Sequence, residues 1–321
     1  VADYRDNVSE VYFPLPNEPS GRAPLGNGDG WSADEAWDNM REELAYISNL
    51  GVDLVLLFNS ACYGAEAMSY ELEKRIVEGL KKVESVVPLS AVTTTSIFVA
   101  RVIKEVRPEL PVRASVNMRI GSVTAMDQLS DCFDGYYTQR EYNRSIDKIK
   151  IFREWCDAHG KSLHMLANSG CLHDCAFQSF HDNLVAHEAE ARSIPGRGVK
   201  YPAPCWEFLD NDERWVRLLQ NTWVRPEDIH HYEKWFDTIK LATRIHARPR
   251  QILAAYANGK YPGNILDLLE PGHTLLLRGL ILDNSRFPAD WHEHVTTCGH
   301  NCDSCGYCKS VFDAIKVKMR E

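Results

Sequence analysis

The run Cys298-Gly-His-Asn-Cys302-Asp-Ser-Cys305-Gly-Tyr-Cys308 places four thiols within eleven residues. So short a span cannot pair them all as strain-free disulfides. Intervals of three, two and two residues do let four thiolates surround one small volume. That donor set suits an iron–sulfur cluster and, less well, a zinc ion. Gly299 and Gly306 let backbone amides approach the sulfurs, which serves either metal.

A second set of cysteines, Cys62, Cys171, Cys175 and Cys205, is dispersed along the chain. Each follows a predicted strand. Cys171 and Cys175 are four residues apart, so both face one ion if a helix has begun there. A helix N-terminus would favour their thiolate forms. Cys62 has no cysteine near it in sequence, and a buried thiol is the alternative reading. Cys132 and Cys156 lie in partly apolar helical stretches and are expected to pack.

Other candidates for chemistry follow predicted strands. Arg140-Glu141 could bind a carboxylate or phosphate and move a proton, or form an internal ion pair. Asn59, Asn117 and Asn168 could line a polar pocket or cap turns. Arg119, Gln139 and Arg244 sit at the same kind of position. His173 and His181 flank the cysteine pair as hydrogen-bond donors or proton carriers. Gly21–Gly30 is a Gly-rich loop that could cover a substrate. Tyr12, Tyr63, Tyr136, Tyr137 and Tyr142 could stack on an aromatic substrate or pack in the core. No His-Glu-x-x-His and no Gly-x-Ser-x-Gly motif occurs, so proteolysis has little support from motifs.

The elements that must position these residues are short apolar runs alternating with amphipathic stretches. Predicted strands are Val11–Leu15, Asp53–Phe58, Val86–Val92, Val112–Asn117, Gly135–Thr138, Ser162–Asn168, Val199–Pro204 and Thr238–Leu241. Ser32-Ala-Asp-Glu35 reads as a capping box opening a helix to about Leu50, stopped by Gly51. Further helices are predicted at Ser69–Lys82, Thr95–Arg107, Ile146–His159, Asp174–Ala191, Pro226–Trp235, Pro249–Ala257 and Lys309–Glu321. Eight strands alternating with helices predict an α/β fold, a (β/α)8 TIM-like barrel, with a doubly wound sheet as the alternative. The strands' C-terminal ends would gather the candidate residues on one rim. The expected organisation is a barrel domain over residues 1–285 and a Cys-rich cluster-binding tail over residues 286–321.

Composition sets the setting. The chain has 321 residues, 44% hydrophobic, and a net charge of −9. It lacks a Lys/Arg-rich run, so a nucleic-acid partner is not favoured. No apolar run reaches a membrane span, and no signal-peptide pattern opens the sequence. A cytoplasmic setting with reduced thiols is expected, which favours metal ligation.

The segment Asn168-Ser-Gly-Cys171-Leu-His-Asp-Cys175-Ala-Phe-Gln-Ser-Phe-His181 resembles the collagenase-like peptidase family U32. So do Pro204-Cys205-Trp-Glu-Phe, Arg225-Pro-Glu-Asp-Ile-His and Thr238-Ile-Lys-Leu-Ala-Thr-Arg244. Lys240 and Arg244 match the family's strand end, whereas Ala242-Thr243 stands where Glu-Gly is usual. The resemblance covers roughly residues 86–257. It implies a barrel with a four-cysteine [4Fe–4S] cluster, held by Cys171, Cys175, Cys205 and, as in members with an early ligand, Cys62. Relatives include proteins of oxygen-independent ubiquinone hydroxylation and RNA-base hydroxylation. The tail cysteines are not part of the family's usual pattern.

Cys298, Cys302 and Cys305 also have the spacing of the radical S-adenosylmethionine motif. Cys308 is available to close the iron that would bind that cofactor, and the motif lies after the last strand rather than the first. The expected function is therefore iron–sulfur-dependent redox chemistry, oxygen-independent hydroxylation or a related oxidation or reduction, on a small organic substrate. It uses one cluster in the barrel mouth and a second, electron-relay cluster on the tail. Arg140, Glu141, Asn117 and His173 are the expected catalytic residues. A reduced ferredoxin- or flavodoxin-type protein is the expected electron donor. The alternatives are a radical S-adenosylmethionine-type enzyme using the tail, and a non-catalytic module whose tail binds zinc (with His292, His294 and His300 as further ligands) and docks a protein partner.

Overall fold

Leu54-Val-Leu-Leu-Phe58 is an apolar run with every residue buried, and it forms the centre of a parallel strand. In the computed structural model seven such strands follow one another in one sheet in chain order. They are Glu10–Pro14 (β1), Asp53–Phe58 (β2), Ala91–Thr94 (β3), Val112–Ala114 (β4), Gly135–Tyr137 (β5), Ser162–Leu166 (β6) and Thr238–Lys240 (β7). β1 to β5 are successively parallel, and β6 is parallel to β7. The fold is α/β. The structure describes residues 1–16, 18–21, 32–188, 204–244 and 246–318.

The chain divides into two compact units. The first is Val1–Tyr137, Gly160–Ser162 and Gln178–Pro202; the second is Thr138–His159, Leu163–Phe177 and Ala203–Glu321. In the first unit, helix Ala33–Asn49 opens on the capping box: Ser32 accepts from the Glu35 amide and Glu35 reaches back to Ser32. Gly51 ends it at φ +71°, where a side chain would be strained. Ser69 and Ser96 cap helices Tyr70–Glu84 and Ile97–Val106. Gly79 lets the second of these three helices lie against Leu15 and Phe58, since an added Cβ would come within 2.7 Å of the Leu15 side chain.

The second unit carries helices Ile146–His159, Pro204–Leu209, Pro249–Ala257, Trp291–Thr297 and Tyr307–Ile315. A two-stranded antiparallel ladder joins Leu280–Leu282 (β8) to Lys316–Lys318 (β9). Residues 286–318 belong to this unit and bury Trp291, Val295, Val311, Phe312 and Ile315.

Several expectations change. Among the described residues seven strands, not eight, make the sheet, and β6 pairs directly with β7. Of the expected strand Val199–Pro204, residues 199–203 lie outside the described residues, and Pro204 opens a helix. β3 begins at Ala91 rather than Val86, because Pro88 has no amide for a ladder, while buried Thr93 and Thr94 extend the strand. The helix expected from Asp174 begins at Gln178, after Asp174 itself adopts φ +47°. Pro226 opens a short 3-10 helix, Pro226–His231. The tail helix ends at Ile315, and Lys316–Lys318 pairs as a strand instead. No helix among the described residues is long and apolar enough to cross a membrane.

Candidate functional site

The loop after β6 is fixed by a chain of buried polar contacts, all within the second unit. Asn168 donates to the carbonyls of Ala242 (2.8 Å) and Leu268 (2.9 Å) and accepts from the Ala242 amide (2.6 Å). It is a clamp rather than a pocket wall. Two residues on, Gly170 donates to the Glu270 carbonyl, and an added Cβ would stand 2.1 Å from the Pro271 oxygen. The Gly170 carbonyl accepts from Asn221 Nδ2 at 3.1 Å and lies 2.9 Å from His273 Nε2. A carbonyl only accepts, so His273 donates from Nε2. Burial holds the His273 ring below the usual imidazole value, which keeps it neutral for that role. Asn221 also accepts from the His173 amide at 3.3 Å. Cys171 therefore leaves from a backbone held on both sides.

Cys171, Cys175 and Cys205 are each half-buried. Burial pushes the Cys205 thiol up to about 11, and the charges of Cys171 and Cys175 act in the same direction. Thiolates that oppose one another in this way are relieved by a shared cation, so the donor set fits a soft metal centre chemically. Among the described residues no three His, Cys, Asp or Glu side chains stand at metal-binding separation. His173 Nδ1 lies 3.0 Å from the Asp174 carboxylate, and its ring stacks on His300 with centroids 5.0 Å apart.

The remaining expected residues fall in both units. Arg140 and Glu141 occupy a buried turn after β5, in the second unit. Cys62, Asn59 and Asn117 belong to the first unit. There the Gly64 amide donates to the Cys62 sulfur at 3.3 Å. Asn59 and Asn117 meet at Gly21: the Gly21 amide donates to Asn59 at 3.3 Å, and an added Cβ would lie 3.0 Å from the Asn117 amide nitrogen. The rest of the Gly-rich loop, residues 22–30, lies outside the described residues. Arg119 is 3.4 Å from Gln178 in the same unit. Cys132 and Cys156 are buried, as packing residues should be. Tyr63, Tyr136 and Tyr137 are buried too, and the hydroxyls of Tyr63 and Tyr136 donate to backbone carbonyls of Phe58 and Met126.

The sequence reading missed Gly170, Asn221, His273 and Arg144. Their partners are remote in sequence, so no local motif marks them. The polar string Arg140-Glu-Tyr-Asn-Arg144 directly after a strand was the one available signal. Within it, Asn143 donates to the Leu166 carbonyl at 2.7 Å.

No protein-family model matches the chain. Over 183 residues it is 28% identical to the uncharacterized protease MJ1657 of Methanocaldococcus jannaschii, a match covering 55% of this chain and 52% of the relative. The chain thus spans about half the length of that curated relative. It is also similar to the solved structure of the U32 peptidase Mk0906, with a TM-score of 0.53 and 15% identity, over 73% of this chain and 86% of that one. At that identity the second likeness speaks for the fold alone. In sequence and in fold, the chain resembles the U32 peptidases.

Proposed function

We propose that the chain is an iron–sulfur-dependent redox enzyme acting on a small organic substrate, by oxygen-independent hydroxylation or a related oxidation or reduction. The observation that supports this reading is the clamping of the Cys171 loop by buried Asn168, Asn221 and His273, in the same unit as Cys175 and Cys205. Buried polar clamps of this kind hold ligands in place before a metal arrives. Cys171, Cys175 and Cys205 would supply thiolates to a [4Fe–4S] cluster, which when bound supplies one-electron chemistry. Arg140 and Glu141 would orient a substrate's polar group and hold a proton, and His173 would carry a proton beside the cysteine pair. A reduced ferredoxin- or flavodoxin-type protein would supply electrons.

The second reading is a peptidase, favoured by the names of the two relatives. One experiment separates them. The chain is reconstituted anaerobically with iron and sulfide, beside a Cys171→Ser/Cys175→Ser/Cys205→Ser variant. The redox reading expects the variant to hold about four fewer irons, with sulfide to match. Equal iron in both proteins, together with hydrolysis of a denatured protein substrate, would overturn it in favour of the peptidase.

A further inference from the structure

Arg144 is a buried guanidinium, 4% exposed, with no carboxylate paired to it among the described residues. It donates to the carbonyls of Leu219 (2.8 Å) and Trp223 (3.2 Å), and its guanidinium lies over the rings of Trp223 and Trp291, 5.3 Å from each. Neutral carbonyls and aromatic faces satisfy its geometry but leave a full charge in a poorly solvated site, a costly arrangement without an anion. Burial pulls Arg144 below the ordinary guanidinium value, and Tyr232, Cys308, Cys298 and Asp228 act in the opposite direction. Tyr232 is a buried phenol held far above its ordinary value, hence neutral. The Asp228 carboxyl faces Arg225 at 4.0 Å. Burial pushes the Cys308 thiol up to about 11, so a tail sulfur becomes an anion for Arg144 when a bound metal displaces its proton.

The cysteine loop lies between two anchored elements of the tail. Helix Tyr307–Ile315 and strand β9 anchor it on one side, and helix Trp291–Thr297 on the other. Tyr307 stacks on His294 at 3.5 Å and on Trp291 at 6.1 Å. Arg217 pairs with Asp303 at 2.7 Å within the cysteine loop itself. Cys302 and Cys305 line one open cavity of about 330 Å³ together with Arg217, Gln220, Gly306 and Lys309. Cys305 is exposed and the other three tail thiols are half-exposed, so they are not packing residues. An irregular loop from Cys298 to Gly306 with no apolar core of its own needs another source of cohesion.

We propose that Cys298, Cys302, Cys305 and Cys308, which do not stand at metal-binding separation in this structure, draw together around a metal as a four-thiolate centre whose net negative charge is balanced by buried Arg144. Four thiolates around an iron–sulfur core or a zinc ion leave net negative charge, and Arg144 is the fixed cation beneath it. The His173–His300 stack further sets this loop against the loop of Cys171 and Cys175, which suits an electron-carrying role when the metal is iron. The site stands independently of the proposed redox function, because the Arg144 argument holds for zinc as well.

The test uses the full chain, purified anaerobically and assayed for iron, sulfide and zinc before and after reconstitution. Wild type is compared with Cys302→Ser/Cys305→Ser and, separately, with Cys171→Ser/Cys175→Ser/Cys205→Ser, each checked for folding by circular dichroism. The expected result is that the tail variant loses one centre, about four irons with sulfide or one zinc, while the other variant keeps it. Iron with sulfide makes the centre redox-active, and zinc makes it structural. A charge-removing Arg144→Gln variant should release the tail metal to a chelator at least tenfold faster, with Arg144→Lys intermediate. Metal content unchanged in the tail variant would overturn the proposal. Metal unchanged only in the triple variant would sink the barrel-site reading and leave this one standing.

Discussion

At the scale of single residues, the site depends on a glycine whose importance no local pattern reveals. Gly170 sits against the Pro271 carbonyl, about a hundred residues away in sequence, and offers its own carbonyl to Asn221 and His273. A methyl group there meets backbone, not a flexible side chain, so the loop must move. Gly170→Ala should destabilise the protein by about 2–3 kcal/mol, the usual cost of forcing extra volume into a packed site. Urea unfolding measures it, and a change under about 0.5 kcal/mol would show that the loop yields freely. The cysteines and the Arg140-Glu141 pair were legible because their chemistry is written in residue type and spacing. Gly170, Asn221 and Arg144 were not, because each acquires its role from a partner brought near only by the fold. The same holds for Asn168, which reads as a pocket residue in sequence and acts as a backbone clamp.

Elements were legible where local chemistry decides them. The Ser32 capping box, the Gly51 stop and the Pro249 helix start follow from cap and turn preferences, and each stands where expected. Elements decided by tertiary pairing were not legible. Lys316-Val-Lys318 is too short for a period of two to register, and it becomes a strand only because Leu280–Leu282 lies beside it. That ladder depends on Ile315, fully buried, whose carbonyl accepts from the Asp283 amide at 2.9 Å. Ile315→Ala should cost about 2–5 kcal/mol through the cavity it leaves. Hydrogen exchange locates the effect: the Val317 amide, opposite Ile281, should lose protection well before the amides of β2. Equal loss of protection in both strands would mean that the tail ladder opens only with the rest of the molecule.

At the scale of the whole molecule, buried imidazoles make stability depend on pH. Burial, reinforced by His231 and His230, pulls His292 down from 6.5 to about 4. Burial also lowers His231 and His273. His292 stacks on His231 with centroids 4.0 Å apart, so protonating either ring sets a charge against its neighbour. In the unfolded chain these rings titrate near their ordinary value. Between that value and the depressed one the unfolded chain binds more protons, and stability falls as pH drops through the window. For His292 the contribution is full above about 6.5 and lost progressively toward about 4. Asp228 and Glu18 act in the opposite sense, since burial raises both carboxyls and favours their protonation in the folded state. Their opposing slope lies between the ordinary carboxylate range and their raised values, so it offsets the imidazoles at the acid end. The melting temperature should therefore decline from pH 7 to pH 5. His292→Gln keeps a polar side chain without a titrating ring, and should flatten that decline while changing the melting temperature little at pH 7.5. An unchanged slope in the variant would remove His292 as the source of the acid sensitivity.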